Sequence, residues 1–144
     1  MRNISKEELN KILKEHELWL KGEDGKRANL NDTNLRYLNL SNVDLRYADL
    51  RGANLRYANL EDSDLTYADL RGANLRYANL EDSDLTYADL RFANLKGANL
   101  NHTNLKYADL TYADLRYTDL RYANLNNADL EHAKTNNYTI GYNK

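Results

Sequence analysis

The sequence contains no cysteine, which excludes a disulfide framework, a thiolate zinc site and a cysteine nucleophile. Charge of one sign is also missing. The 20 Lys and Arg stand against 22 Asp and Glu, a formal net charge of −2, so affinity for nucleic acid through bulk charge is not indicated. Long apolar runs are absent as well: near the start the longest is Leu18-Trp19-Leu20, too short for a signal-peptide core or a membrane span. The 144 residues leave room for about one domain. The expectation from these absences is a soluble, cytoplasmic chain with no membrane partner and no cofactor.

A mean hydropathy of −0.86 with 29% charged residues leans toward disorder. The placement of the apolar residues decides otherwise. From Leu30 to Leu130 every fifth residue is leucine, 21 in succession. Two positions before each stands a small or compact residue such as Ala28, Thr33, Ala48, Ala53, Ser63 or Thr103, with Leu38 the large exception. Between the two stands Asn or Asp in every unit, from Asn29 to Asp129. The unit reads small, Asx, Leu, variable, variable.

Neither regular element accommodates this period. In an α-helix a five-residue step rotates each leucine by roughly 140°, so no apolar stripe forms. In a straight strand an odd period sends every second leucine to the wrong face. A unit that turns within itself remains: the small residue and the leucine share the inner face of a short extended segment, the Asx points out, and the two variable residues make a corner. Residues 47–71 and 67–91 are identical over all 25 positions at an offset of 20, so four units make one coil. That identity reads as a recent duplication or a deliberate insertion of one coil. Stacked coils pair backbone to backbone at about 4.8 Å, which predicts an all-β solenoid of square cross-section, filled by leucine and alanine. About five and a half coils make a rod of roughly 26 Å. Gly52, Gly72, Gly97 and Asn42 suit a corner position of positive φ, whereas tyrosine, which holds ten such positions, does not.

Ala48-Asp49-Leu50-Arg51-Gly52, Ala53-Asn54-Leu55-Arg56-Tyr57 and their neighbours resemble the A(D/N)LXX unit of the pentapeptide-repeat proteins, over about residues 28–133. The resemblance implies a right-handed quadrilateral β-helix. It also implies that family members which dimerise often do so through C-terminal elements. No such helix is evident in this sequence, and a monomer is expected.

A solenoid needs caps, because its ends expose strand edges and apolar core. Ser5-Lys6-Glu7-Glu8 is a capping box with Ile4 and Leu9 as its hydrophobic staple, and Gly22 fits a helix stop. Leu9, Ile12, Leu13, His16, Trp19 and Leu20 recur at helical spacing between them. The domain reading is therefore a short N-terminal capping α-helix and turn over 1–25, the β-helix over 26–137 and a C-terminal cap or tail over 138–144. The pattern fails at Lys134 and Thr135, then Ile140 returns in leucine register with Tyr138 and Tyr142 beside it.

No catalytic constellation emerges. His16, His102 and His132 fall on the cap helix and on two different sides of the coil, and no nucleophile, base and orienting acid converge. Ser63 and Ser83 occupy the small inward position, where they fill core. The glycine-containing units are corners and not a strand-to-helix phosphate motif. The surface says more, since a 20-residue period sorts outward residues into vertical rows. Arg36, Arg56, Arg76, Lys96 and Arg116 stack beside Tyr37, Tyr57, Tyr77 and Tyr117, and a second row carries Tyr47, Tyr67, Tyr87 and Tyr107. These rows form the candidate interaction surface. Their simplest role is to shield the ladder; the alternative is a partner surface, with single-stranded nucleic acid as one occupant. Another side stacks Glu61, Asp62 and Asp64 below Glu81, Asp82 and Asp84, a solvated face balanced by Arg56 and Arg76 rather than a committed metal site.

The leading functional reading is a non-enzymatic structural or protein-interaction scaffold with an unknown protein partner. The resemblance supplies an alternative, since some pentapeptide-repeat proteins imitate the DNA duplex and protect type II topoisomerases such as gyrase. A further alternative is direct nucleic-acid binding through the Arg and Tyr rows.

Overall fold

The computed structural model describes residues 1–142. Its repeat region is a four-sided coil in which the middle residue of each unit bridges in parallel its counterpart 20 residues on, from Asn29 with Asp49 to Asp114 with Lys134. Four faces result. The first contains Ala48-Asp49-Leu50, the second Ala53-Asn54-Leu55, the third Ala58-Asn59-Leu60 and the fourth Ser63-Asp64-Leu65, and each corner takes the number of the face it follows. Leu30 to Leu120 fill the interior and are buried, each removal of a leucine side chain from water contributing about 1.5–3 kcal/mol.

The invariant Asx follows from backbone accounting, which requires a partner for nearly every buried N–H. In residues 63–67 the Ser63 N–H closes the turn onto the Leu60 carbonyl at 3.1 Å, and the Asp64 N–H reaches the preceding coil at Val43 O, also 3.1 Å. The Leu65 and Tyr67 N–H groups donate to the following coil, at Asp84 O (2.7 Å) and Thr86 O (3.0 Å). Only the Thr66 N–H faces no neighbouring carbonyl, and it donates to Asp64 Oδ1 at 3.0 Å. Asn and Asp accept in this way from the residue two places on. The inner serines behave as core: Ser63 and Ser83 are buried, each donating its hydroxyl to a leucine carbonyl at 2.6 Å.

The corners correct one expectation. Every second variable residue has positive φ, from 47° at Asp32 to 71° at Gly97, and Tyr67 stands at 59°. The sign pattern, with the closing bond from Ala68 N–H to Leu65 O at 2.9 Å, is that of a type II turn. Tyrosine is thus accommodated where glycine was expected to be preferred. The left-handed conformation costs about 1–2 kcal/mol, but it turns the N–H along the rod toward the next coil. Ring stacking at about 0.5–1.5 kcal/mol per pair adds to that bond.

Helix α1 spans Lys6–Leu20, with Ser5 as N-cap accepting from the Glu8 N–H at 3.1 Å. The reciprocal half of the capping box is replaced: Glu8 instead lies 3.4 Å from Arg2. Gly22, at φ 74°, ends the helix, with Glu23 N–H on Leu18 O and Gly22 N–H on Trp19 O, the paired bonds of a Schellman motif. Leu9 and His16 are buried, Ile4, Ile12, Leu13, Leu38 and Val43 are half-buried against the core, and Ile4 and Leu9 line one hollow with Leu38 while Leu13 lines another with Val43. This explains the large Leu38, and the branched Val43 one unit on, at small positions: they lie in the first coil, where helix side chains rather than another coil cover them. Arg2 adds a further rung by bridging Thr33.

At the other end the register shifts. Asp119 bridges Ile140, an offset of 21, so Ile140 takes the outward middle position and is 43% exposed, not the leucine position its numbering suggested. One extra residue is accommodated because Asn136 Oδ1, rather than a backbone carbonyl, accepts from Tyr117 N–H at 3.2 Å. Thr139 then fills the small inner position and donates to Leu115 O at 2.7 Å. Residues 143 and 144 of the expected C-terminal tail lie outside the described residues.

Candidate interaction surface

The rigid ladder fixes the outward side chains in columns. At the second corner Tyr37, Tyr57 and Tyr77 stack with ring centroids 5.2 and 5.1 Å apart, and the guanidinium carbons of Arg36, Arg56 and Arg76 lie 5.1, 5.6 and 5.4 Å from their ring centroids. At the fourth corner Tyr47, Tyr67, Tyr87 and Tyr107 stack at 5.2, 4.9 and 4.7 Å, with Trp19 of α1 edge-on above Tyr47 at 6.2 Å. These columns are half a coil apart. They occupy diagonally opposite edges of the rod, so the candidate surface is two separate surfaces.

Stacking determines what the columns can do. Each inner tyrosine has both ring faces covered by its neighbours, leaving mainly edges and hydroxyls outward. A nucleobase needs a ring face, so the columns provide no run of stacking platforms. The unpaired ring faces lie where a column breaks. At the second corner Gly97 interrupts it, and a Cβ there would meet the Tyr77 ring at 2.5 Å. At the first corner the column of Phe92, Tyr112 and His132 stops beneath Gly72, where a Cβ would meet nothing within 4 Å. Phe92 is 64% exposed.

The arginines fall into two classes according to the Asx two places before them. After Asp they are paired. Arg51, Arg71 and Arg91 each contact their own Asp49, Asp69 or Asp89 at 2.6 Å and the Asp of the next coil at 3.5–3.7 Å, a zipper of alternating charge on the first face. The Arg51 guanidinium bonded to Asp49 holds that carboxyl below the ordinary carboxylate range, against the opposing effect of burial. Arg116 does the same for Asp114. After Asn they are free: Arg56, Arg76 and Lys96 follow Asn54, Asn74 and Asn94 and make no ion pair among the described residues. The Nε atoms of Arg36, Arg56 and Arg76 are buried without a partner. The Asn or Asp choice before each arginine was the available signal in the sequence, and row-by-row reading of the arginines alone overlooks it.

The carboxylates of the acidic side are engaged locally. Asp64 and Asp84 accept from the hydroxyls of Thr66 and Thr86, and Glu61 and Glu81 accept from Asn79 and Asn99 of the next coil at 3.5 and 3.2 Å. Asp64 also lies 3.7 Å from Arg46 Nε of the preceding coil, whereas Arg56 and Arg76 remain on their tyrosines. Among the described residues no group of three His, Asp or Glu is placed to hold a metal ion. The histidines are dispersed. His16 is buried under the cap, His102 stacks on Tyr122 at 4.8 Å and His132 on Tyr112 at 4.8 Å.

The family profile described as pentapeptide repeats (8 copies) matches residues 26–62, 63–101 and 98–134. Among solved structures the chain is similar to a pentapeptide-repeat protein, Rfr23, from the cyanobacterium Cyanothece 51142, with 31% identity over 90% of this chain and 96% of that one and a TM-score of 0.68. A pentapeptide-repeat protein of the Arabidopsis thaliana thylakoid lumen is 28% identical over 75% and 72% of the two chains, with a TM-score of 0.46. The plasmid-mediated fluoroquinolone resistance protein QnrB1 is 21% identical over 79% and 67%, with a TM-score of 0.34. No curated protein matches. The fold shared with the Rfr23 structure and with the family of the matching profile is the right-handed quadrilateral β-helix. Among the described residues no helix is long and apolar enough to cross a membrane.

Proposed function

We propose, from the premise that this chain belongs to the pentapeptide-repeat family, that it is a non-enzymatic scaffold which presents fixed columns of side chains to a partner protein. The observation that carries this reading is the division of labour within each unit. Three of five positions build the coil, and the outward Arg, Lys and Tyr side chains stand on a backbone that holds them at a constant pitch. Such a surface binds with little loss of freedom, because its side chains are already ordered by stacking. Interfaces are enriched in tyrosine and arginine for related reasons. The reading includes a monomeric, cytoplasmic protein and makes no use of a cofactor.

Affinity capture from the native host tests it, using the wild-type chain and a variant with Tyr57, Tyr77, Tyr67 and Tyr87 all replaced by serine. A stoichiometric protein captured by the wild type and lost by the variant supports the reading. A captured protein retained at full yield by a folded variant removes the tyrosine columns from it.

A further inference from the structure

We propose that the second face is a docking surface for an acidic, helical segment of a partner protein. This rests on the scaffold reading and names the chemistry of its partner.

The second face differs from the others in offering donors with few acceptors. Its floor is the asparagine row Asn54, Asn74 and Asn94. Their Oδ1 atoms accept from the N–H groups of Arg56, Arg76 and Lys96 at 3.2–3.3 Å, and their Nδ2 groups make no hydrogen bond among the described residues. On the third face, by contrast, the Nδ2 groups of Asn79 and Asn99 are taken up by Asn59, Asn79 and the glutamates. Along one edge of the second face stand Arg56, Arg76 and Lys96, free of ion pairs as described above. Arg36 continues the row but is partly engaged, donating to the Tyr37 hydroxyl at 3.2 Å. Along the other edge Gly52 and Gly72 remove the side chains that would wall the face in. At the upper corner the Asp32 carboxylate leans over Gly52, since a Cβ there would clash with its Oδ1. This confines the anion-accepting stretch to the coils below. Phe92 closes the open edge with an exposed ring.

An occupant must therefore be anionic, fit a shallow open face and offer its charges at the spacing of the coils. Arg56 to Lys96 covers two coil steps, about 9.6 Å at the ladder spacing. A helix with carboxylates one turn apart advances about 10.8 Å over two turns, a mismatch that flexible arginine and lysine side chains absorb. An extended strand with carboxylates on alternate residues advances about 13 Å over the same two steps. The helix is the better match, and a helix has apolar positions beside its acidic stripe for Phe92. Single-stranded nucleic acid is disfavoured because Tyr57 has both ring faces covered by Tyr37 and Tyr77 and Lys96 lies over Tyr117 at 5.3 Å, so the break at Gly97 leaves no run of stacking platforms beside the row.

The test uses a fluorescein-labelled, alanine-rich 15-residue peptide with glutamates at helical positions i, i+4, i+7 and i+11, titrated with the full chain at low and physiological salt. Saturable binding is expected, weakening with salt and falling at least about tenfold in Arg56→Glu/Arg76→Glu. Arg71→Gln, which removes a paired arginine of the first face, should change it less than about twofold. Circular dichroism verifies that each variant retains the fold. No saturable binding of the peptide, equal loss in Arg71→Gln, or tighter binding of an oligothymidylate of the same length each overturns the proposal. Failure here, with a host protein still captured through the tyrosine columns, leaves the scaffold reading in place. Failure of both removes both.

Discussion

The Asp64 carboxylate oxygen lies 3.0 Å from the backbone nitrogen of Thr66, accepting the one N–H of its unit that faces no carbonyl of a neighbouring coil. The same relationship recurs between Asn59 and Glu61 at 3.1 Å and between Asp49 and Arg51 at 3.2 Å. It gives the Asx positions a structural reason independent of charge, and charge is then free to vary between faces.

Asn59→Ala is expected to destabilise the chain by about 1–3 kcal/mol, because the Glu61 N–H loses its acceptor. Asn59→Asp, which keeps an oxygen there, should cost less. Chemical denaturation of the two variants distinguishes them, and equal losses would show that the acceptor is immaterial.

Leu75 is fully buried, so Leu75→Ala should cost about 2–5 kcal/mol. The half-exposed Arg76→Ala should cost under about 1 kcal/mol. Deleting residues 67–86 removes one whole coil and should leave a folded, shorter rod. A deletion product with the circular dichroism of an unfolded chain would contradict the 20-residue coil.

His16 is the pH-sensitive element of the cap. Its Nδ1 accepts from the Ala28 N–H at 3.0 Å and its Nε2 is buried without a partner. Burial pushes its pKa below the ordinary 6.5, outweighing the opposite pulls of the nearby Arg46 backbone and of the Asp44 carboxylate, while the side-chain charges of Arg27 and Arg46 act in the same direction as burial. With the folded value below the unfolded one, the unfolded chain binds more protons between them. The stabilisation is complete above about pH 6.5 and is lost as pH falls through the folded value. Trp19 stacks on His16 at 5.7 Å, so its fluorescence should report undocking of α1 on acidification. His16→Gln should abolish the part of that change lying above the carboxylate range, roughly pH 4.5 to 6.5. An unchanged profile in the variant would remove His16 from the explanation.

Tyr67 has φ 59° and stacks on two neighbours, Tyr47 and Tyr87. Tyr67→Ala keeps the backbone strain and loses both ring contacts, whereas Tyr67→Gly loses the contacts and relieves about 1 kcal/mol of strain. Alanine should therefore be the more destabilising substitution, and melting temperatures decide the order. A glycine variant less stable than the alanine variant would mean that backbone strain is absent at the corner.

For the duplex-mimic alternative the expectation is negative. Residues 28–133 carry 11 basic and 16 acidic side chains, and Arg51, Arg71 and Arg91 neutralise carboxylates of the first face while Arg56 and Arg76 of the second carry positive charge outside any ion pair among the described residues. A surrogate for DNA requires a dense negative field. Titration with the purified chain should leave gyrase supercoiling and its quinolone sensitivity unchanged. Inhibition abolished by neutralising Glu61, Asp62, Glu81 and Asp82 would reverse this ranking.

Sequence periodicity alone determined the coil. A five-residue step is incompatible with both helix and flat strand, and the 20-residue identity counts the corners, so the leucine core, the square section and the tyrosine columns were all legible. The helix was legible too, through Ser5, Gly22 and the spacing of Leu9, Ile12 and His16. What periodicity could not convey was anything decided by hydrogen-bond direction or by contacts between coils. Positive φ at Tyr67 depends on an N–H finding Thr86 O in the next coil, and local preference points the other way. The outward place of Ile140 depends on Asn136 substituting a side-chain acceptor for a backbone one, after which numbering by fives no longer indicates orientation. The pairing of Arg51 and the freedom of Arg56 depend on one atom of difference between Asp49 and Asn54, whose effect appears only when the corner folds the arginine back over its face. Local sequence sets the period; long-range backbone pairing sets the conformation of each corner and the charge that each face exposes.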